Sequence, residues 1–272
     1  MIACFDETAE ALISCVVRIL GRTTEEDIMR VTIAPSGLAI GLFAVFMCLP
    51  WSAFAANETE TALLLIELVQ AGRTVVTEHQ ELLNDPARGD KGFTPEYFGA
   101  KLIEKYRDVA KIDLSRATPS PQTGLLLTLL ESGKEVVAEA QPVLNKQGIA
   151  FKGFIPAAWG RKTGEKFTKK TGVKLKLTAM EYRYPGNKPD EFESEVLRQF
   201  SEPSYAKGRE FSRVLVQDGR QVLRMMKPEY VGPKCLGCHG EPKGERDKTG
   251  MKKEGLKEGD LAGAISLTIP IR

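Results

Sequence analysis

The residues with the clearest chemistry are a closely spaced group near the C-terminal end, Cys235-Leu236-Gly237-Cys238-His239. In a C-x-x-C-H motif the two thiols form thioethers with the vinyl groups of haem, and the histidine binds the iron. Chance is a poor explanation, because the 272 residues contain only five cysteines and two histidines. The motif predicts one covalently attached haem c, with His239 as an iron ligand.

Two other chemistries use the same residue types. A dithiol redox pair normally follows a strand near the start of a thioredoxin-like fold, whereas this pair lies near the end of the chain. A structural zinc site needs four ligands, and an exported chain offers only Cys235, Cys238, His239 and His79. The adjacent Cys238 and His239 would chelate one ion awkwardly. Both alternatives are weaker than haem.

Composition excludes several classes of protein. The hydrophobic share is 42%, the charged share is 27% and the net charge is +2, which is typical of a soluble globular protein. Neither a strong positive field nor a base-stacking motif is present, so we expect no nucleic-acid partner. Three further cysteines, Cys4, Cys15 and Cys48, lie in the N-terminal region, which argues against a disulfide scaffold.

The N-terminal region predicts export. Residues 37–49 are strongly apolar, but they are shorter than the roughly 20 residues of a membrane span. Ala53-Phe54-Ala55 follows as a cleavage site, and Met29-Arg30 precedes as a start with a positive charge. We therefore expect a doubtful extension over 1–28, a signal peptide over 29–55 and a periplasmic haem domain over 56–272. An uncleaved signal anchor would be the only membrane attachment.

The exported part predicts an α+β domain, because helical periodicity comes first and strand-like alternation follows. Asn84-Asp85-Pro86 should end the first helix, and Pro142 should stop or kink the third. Asp218-Gly219 predicts the turn of a hairpin. The expected helices cover residues 61–83, 95–109, 122–145, 157–170 and 190–200. The expected strands cover residues 149–155, 173–177, the 212–226 hairpin and 262–271, with a Gly- and Lys-rich loop over 241–259.

Four motifs together resemble the single-haem, PAS-like c-type domain of bacterial periplasmic sensors, whose prototype is cyanobacterial. Besides the haem signature, they are Asn84-Asp85-Pro86 with Asp90-Lys91-Gly92-Phe93-Thr94-Pro95, the turn Arg183-Tyr184-Pro185-Gly186-Asn187-Lys188-Pro189, and the closing Gly259-Asp260-Leu261-Ala262-Gly263-Ala264. The resemblance covers residues 61–271. It implies a PAS-like antiparallel sheet flanked by N-terminal helices, with haem in the pocket between them.

The resemblance also implies a function. It favours a haem-based sensor of redox state or of a diatomic gas, which would pass its signal to a partner protein. The alternative is a small periplasmic electron-transfer cytochrome with a redox partner. We expect no enzyme, because the chain offers no acid–base cluster besides one spare histidine.

The sixth iron ligand is open at this point. Some relatives supply a cysteine from the N-terminal helix, but residues 56–272 contain no cysteine outside the motif. His79 is the only other histidine and is predicted to lie on the apolar face of the first helix, so it is our candidate metal ligand. Met225 and Met226 are the next candidates, although core packing is the commoner role of such methionines.

Basic residues are candidates for the remaining contacts. Arg183 is predicted to pair with a haem propionate, since arginine suits carboxylates. Lys91 and Arg161 are weaker candidates, which we expect to be solvated surface charges. The loop lysines 243, 248, 252, 253 and 257 form either a solvated face or a docking patch for an acidic redox partner.

Overall fold

The computed structural model describes the backbone of residues 35–271 and the side chains of residues 57–271. One compact unit covers residues 52–272, and it contains the strands and all the helices after the first. The predicted extension over 1–28 lies outside the described residues. The side chains of the predicted signal peptide do so too, so cleavage after Ala55 stays a prediction.

Helices make up the first half of this unit. Their N-termini follow from local sequence, because Thr94 and Ser120 each cap a helix that begins with proline. Gly172 adopts a left-handed conformation and ends the last of them. The helices are α1 (Pro35–Glu78), α2 (Gln80–Asn84), α3 (Pro95–Ala110), α4 (Pro121–Leu144) and α5 (Pro156–Thr171).

An antiparallel sheet makes up the second half. Its strands are β1 (Lys174–Thr178), β2 (Phe211–Gln217), β3 (Arg220–Tyr230) and β4 (Leu261–Pro270), in the order β1-β4-β3-β2. Asp218 and Gly219 both have positive φ, at 52° and 72°, so the predicted hairpin turn is confirmed. Helix α6 (Glu191–Ser201) lies between β1 and β2 in the chain. The α+β class with an antiparallel sheet after N-terminal helices is confirmed.

The two faces of the sheet bury two separate apolar clusters. On one face Met225, Ile265 and Leu267 pack with residues of α1, α4 and α5. On the other, Met226 and Ala264 pack with Phe192 and Val196 of α6. Neighbouring residues on β3 therefore point into opposite clusters, as the two-residue period of a strand requires.

One predicted strand is absent. Residues 149–155 were expected to be extended in the sheet, but they form an irregular segment before α5. Their backbone groups bond to side chains of the helical layer instead. The amide of Lys152 donates to Asn84 Oδ1 at 2.9 Å, and Gln80 Nε2 donates to the carbonyl of Phe154 at 2.9 Å. Phe154 thus enters the helical core without the segment joining a sheet.

No helix within the described residues combines the length and the apolar character that a membrane span requires.

Trp159 of α5 locks the helical layer. Its ring is 1% exposed and lies over two glycines, Gly72 of α1 and Gly133 of α4. A Cβ at Gly133 would come within 2.8 Å of the ring, and the indole nitrogen donates to the Gly133 carbonyl at 3.2 Å. The close approach of α4 and α5 therefore depends on the missing side chain.

We expect Gly133→Ala to lower the free energy of unfolding by about 1–3 kcal/mol, because overpacking forces the indole to move. Gly124→Ala in the same helix is the matched control, since nothing lies within 4 Å of its Cβ position. Alanine there should be neutral or stabilising by up to about 1 kcal/mol. Urea unfolding measures both, and equal midpoints for the two variants would contradict the role given to Trp159.

Candidate functional site

The C-x-x-C-H motif lies on a short helical segment between β3 and the following loop. A 3-10 turn covers Pro233–Cys235, and helix α7 covers Leu236–His239. Neither cysteine forms a disulfide, and Cys235 is exposed whereas Cys238 is half-buried. The amide of Gly240 donates to the Leu236 carbonyl at 2.9 Å, which closes the helical turn. The motif therefore presents its residues from one rigid turn.

A cavity of about 550 Å³ opens beside this turn, where β1 and β3 end and β4 begins. Cys238 and His239 contribute to its wall, whereas Cys235 does not. Apolar side chains make up much of the remaining wall. They include Ile155, Ala157, Ala158, Leu177, Ala179, Met180, Leu197, Met251, Leu256, Leu261, Ala262 and Ala264.

His239 is held at two points. Its Nδ1 lies 2.9 Å from Glu254 Oε2, and its carbonyl accepts from the Leu256 amide at 2.8 Å. An ionised carboxylate only accepts, so the ring must carry its proton on Nδ1 when it is neutral. Nε2 has no hydrogen-bond partner among the described residues, and its lone pair is left for a metal.

Arg183 joins the motif to the loop that follows it. Its Nε and one terminal nitrogen donate to Glu254 at 2.5 and 2.7 Å, and the other terminal nitrogen donates to Asp247 Oδ2 at 2.7 Å. The nitrogen that reaches Glu254 Oε2 also donates to the Cys238 carbonyl at 2.6 Å. All three nitrogens are thus engaged by protein groups. Arg183 thus has partners within the chain itself, and its predicted contact with a haem propionate stays a prediction.

Asp247 organises the loop over residues 241–259. Its side chain is fully buried, and Oδ1 accepts from the amide and hydroxyl of Thr249 at 2.7 and 2.6 Å. Burial alone raises the pKa of this carboxyl. The bonds from Thr249 and Arg183 outweigh burial and hold the pKa well below its usual range. The pKa of Glu254 is lowered in the same way, with burial opposed by Arg183 and His239. Both groups are therefore anionic at neutral pH.

Burial raises the pKa of the Cys238 thiol, and the nearby Asp247 carboxylate acts in the same direction. The thiol is therefore protonated at neutral pH. A reactive dithiol needs the opposite, since a catalytic thiolate is favoured by a lowered pKa. The environment of Cys238 argues against a redox pair.

The family model described as Tll0287-like matches residues 53–270. This chain belongs to the Tll0287-like family. The match spans the helical layer, the sheet and the haem motif, so the predicted resemblance is confirmed.

The crystal structure of the cyanobacterial heme-protein Tll0287 is similar to this chain at 20% sequence identity and a TM-score of 0.39. That similarity covers 57% of this chain and 97% of the solved chain. The search of curated proteins gave no match.

His79 lies apart from the wall of the cavity of this Tll0287-like protein. It stands between α1 and α2, with Nδ1 2.7 Å from the Val75 carbonyl and Nε2 3.0 Å from the Tyr97 hydroxyl. Its ring packs against Phe93 and Tyr97. The structure does not bring His79 and His239 together on the cavity wall, and both nitrogens of His79 already have partners. Ligation of iron by His79 stays a prediction that this placement does not support.

The two methionines of β3 are core residues. Met225 and Met226 are 1% and 0% exposed, and each belongs to one of the two apolar clusters. Neither lines the cavity. Two other methionines, Met180 and Met251, do line it and are 51% and 40% exposed. Sequence reasoning missed these two because neither lies in a periodic segment.

The other predicted basic residues, Arg161 and Lys91, lie in different environments. Arg161 lines the cavity, where its guanidinium lies 4.1 Å from the centre of the Tyr184 ring. Lys91 was expected on the surface but is 1% exposed, with its ammonium donating to the carbonyls of Asp85 and Arg88. Lys91 therefore closes a loop far from solvent, because backbone carbonyls replace its water.

The loop lysines are interleaved with acidic residues. Lys253 pairs with Glu245 at 2.9 Å, and Lys243 lies 3.8 Å from Glu181. The other three, Lys248, Lys252 and Lys257, are exposed. The predicted choice between a solvated face and a docking patch stays open.

A second ion pair on the wall joins the helical layer to the sheet. Arg73 of α1 donates to Glu229 of β3, and Gln70 donates to the same carboxylate at 2.6 Å. Arg73 Nε is buried without a partner, although the side chain lines the cavity. No pattern in the sequence marks Arg73 as part of the site.

Among the residues that the structure describes, no group of three or more His, Cys, Asp or Glu side chains is arranged to hold a metal ion.

We expect His79→Ala to leave the optical spectrum of the haem-loaded protein unchanged. The substitution should still lower the free energy of unfolding by about 1–2 kcal/mol, because it removes the hydrogen bond to Tyr97 and the ring contacts with Phe93. Spectra and urea unfolding of the variant measure both. A shift toward high-spin iron in His79→Ala would instead establish His79 as a ligand.

We expect acid to unfold the protein partly through Asp247. A carboxyl whose folded pKa is depressed contributes stability above its unfolded pKa of about 3.9, and this stability is lost as pH falls toward the folded value. Asp247→Asn should cost about 2 kcal/mol at pH 7, because charge-assisted bonds are lost. The destabilisation caused by Asp247→Asn should be smaller near pH 3 than at pH 7. Urea unfolding at both pH values measures it, and a cost independent of pH would contradict the assignment.

Proposed function

We propose that this chain is an exported haem c protein, with one haem attached through Cys235 and Cys238 and with His239 as an iron ligand. The observation that carries the proposal is the state of His239. Its Nδ1 is held by Glu254, and its Nε2 has no partner in the described residues beside an apolar cavity. Metal-bound histidines almost always donate their second ring N–H to a carboxylate, a backbone carbonyl or a water molecule.

The residues of the cavity fit a haem group. Its volume lies within the range of about 300–1,000 Å³ that is typical of ligand pockets, and its wall is largely apolar. Arg73 Nε is buried without a partner on that wall. Arg161 retains donors beyond its ion pair with Glu165 at 2.8 Å. Arg73 and Arg161 therefore suit the propionates better than Arg183, whose nitrogens are all engaged.

Each part of the site has a separate task. Bound haem supplies an iron that changes oxidation state and accepts small ligands. Cys235 and Cys238 hold the group to one rigid turn, while Glu254 fixes the tautomer of His239. Leu177, Leu197 and Leu261 line the cavity, and their apolar side chains keep water from the wall that they form.

Sensing of redox state or of a diatomic gas is the role that we favour. His79, Met225 and Met226 lie away from the cavity wall, which favours an iron with room for an external ligand. The signal would pass to a partner protein in the periplasm. We propose that the chain is not an enzyme and that it does not bind nucleic acid.

Electron transfer is the second candidate, and one observation favours it. Met180 and Met251 line the cavity, and a thioether as second axial ligand is typical of cytochromes c that carry electrons. The mixed charges of the 241–259 loop would then meet a redox partner.

We expect the chain expressed with a c-type maturation system to gain the mass of one haem that acid acetone does not extract. Replacement of both Cys235 and Cys238 by alanine should release the haem to extraction, since the thioethers are lost. Intact mass and haem staining of a denaturing gel measure this. A wild-type mass equal to bare polypeptide would overturn the proposed function.

Carbon monoxide separates the two roles. A sensor with an open iron site should show a changed optical spectrum when CO is added to the reduced protein. An electron carrier with a methionine ligand should resist CO until that methionine is replaced by alanine. Spectra of the wild type, Met180→Ala and Met251→Ala, with and without CO, decide between them.

A further inference from the structure

We infer that Glu254, backed by Arg183, is a positioning residue that sets how strongly His239 donates electrons to a bound haem iron. The inference rests on the proposed haem function and extends it to a residue fifteen positions beyond the histidine. Nothing in the C-x-x-C-H motif specifies such a partner.

The contacts around Glu254 fix its carboxylate firmly. The side chain is 10% exposed. Oε2 accepts from His239 Nδ1 at 2.9 Å and from Arg183 at 2.7 Å, while Oε1 accepts from Arg183 Nε at 2.5 Å. Arginine thus binds both oxygens, and the histidine shares one of them. The carboxylate cannot turn away from His239 without breaking the paired bonds to Arg183.

Two contacts to backbone carbonyls support the same geometry. The Leu256 amide, two residues after Glu254, donates to the His239 carbonyl at 2.8 Å. Arg183 donates to the carbonyl of Cys238, directly before the histidine, at 2.6 Å. The His239 ring and the Glu254 carboxylate are therefore held in place by these two contacts as well as by the bond between them.

This arrangement has an electronic consequence. A carboxylate that accepts the Nδ1 proton gives the ring more imidazolate character and raises the basicity of Nε2. A more basic axial ligand stabilises the oxidised iron and lowers the reduction potential. Arg183 draws charge from the same carboxylate and therefore moderates the effect. A wild-type histidine with this support should donate more strongly than one that bonds only to water.

The test compares Glu254→Gln with the wild-type haem protein. Glutamine keeps the size of the side chain but removes the charge, so the bond to His239 weakens. We expect a higher reduction potential and a lower iron–histidine stretching frequency, read by resonance Raman on the photolysed CO adduct of the reduced protein. Glu245→Gln is the matched control, because Glu245 lies in the same loop and pairs with Lys253. It should change neither quantity.

Each outcome has one meaning. An unchanged stretching frequency in Glu254→Gln, or an equal rise in potential in Glu245→Gln, overturns the inference while the haem function stands. If Glu254→Gln does not hold haem, Glu254→Asp takes its place, because the shorter carboxylate weakens the bond and should shift both quantities in the same direction by less. A wild-type protein without covalent haem overturns the proposed function and this inference with it.

Discussion

The site depends on one partly buried guanidinium. Arg183 is 21% exposed in its side chain, and it bonds to two carboxylates and two backbone carbonyls. These acceptors come from the haem motif and from the loop after it, segments that no strand pairing holds together. A buried carboxylate without a partner would cost several kcal/mol. Arg183 therefore supplies the positive charge that stabilises Asp247 and Glu254 in their buried positions against the motif.

The sheet supplies the place where this cluster can sit. Gly263, which opens the regular part of β4, has a φ of 149°, and a Cβ there would lie 2.4 Å from the Thr178 carbonyl. Glycine thus lets the end of β1 approach the start of β4. The register of β3 also shifts between Glu229 and Tyr230 at this level. Both irregularities occur where the sheet stops and the cavity begins, as bulges near functional sites commonly do.

The sequence predicted helices, strands and turns well where each depends on residues that are close together in the chain. The end of α2 near Asn84-Asp85-Pro86, the turn at Asp218-Gly219 and the alternation of β1 all depend on residues within a few positions. The strand expected over 149–155 was wrong because its backbone partners, Gln80 and Asn84, lie about 70 residues earlier. Periodicity contains no information about which distant group a backbone amide will meet.

The same limit explains the site. The motif identified Cys235, Cys238 and His239, because the chemistry needs them at fixed spacing. It could not identify Glu254, Asp247 or Arg73, whose roles arise from contacts across 15 to more than 150 residues. Arg183 was identified by a turn motif, but its bonds to Asp247 and Glu254 were not, since arginine suits any carboxylate and only the fold decides which one lies nearest.

The charged residues on the cavity wall determine where a negatively charged group would bind. Three arginines and three glutamates line the cavity, and two of each are paired with one another as Arg73–Glu229 and Arg183–Glu254. Those pairs are nearly neutral, so Arg73 offers a further anion its unpartnered Nε donor but little net charge. Arg161 differs, because it pairs with Glu165 at the helix surface and lies on the Tyr184 ring inside the wall. It is the cation on this wall whose charge is least compensated there. A negatively charged group entering the cavity gains most near Arg161, while the Arg183 cluster is left to hold His239.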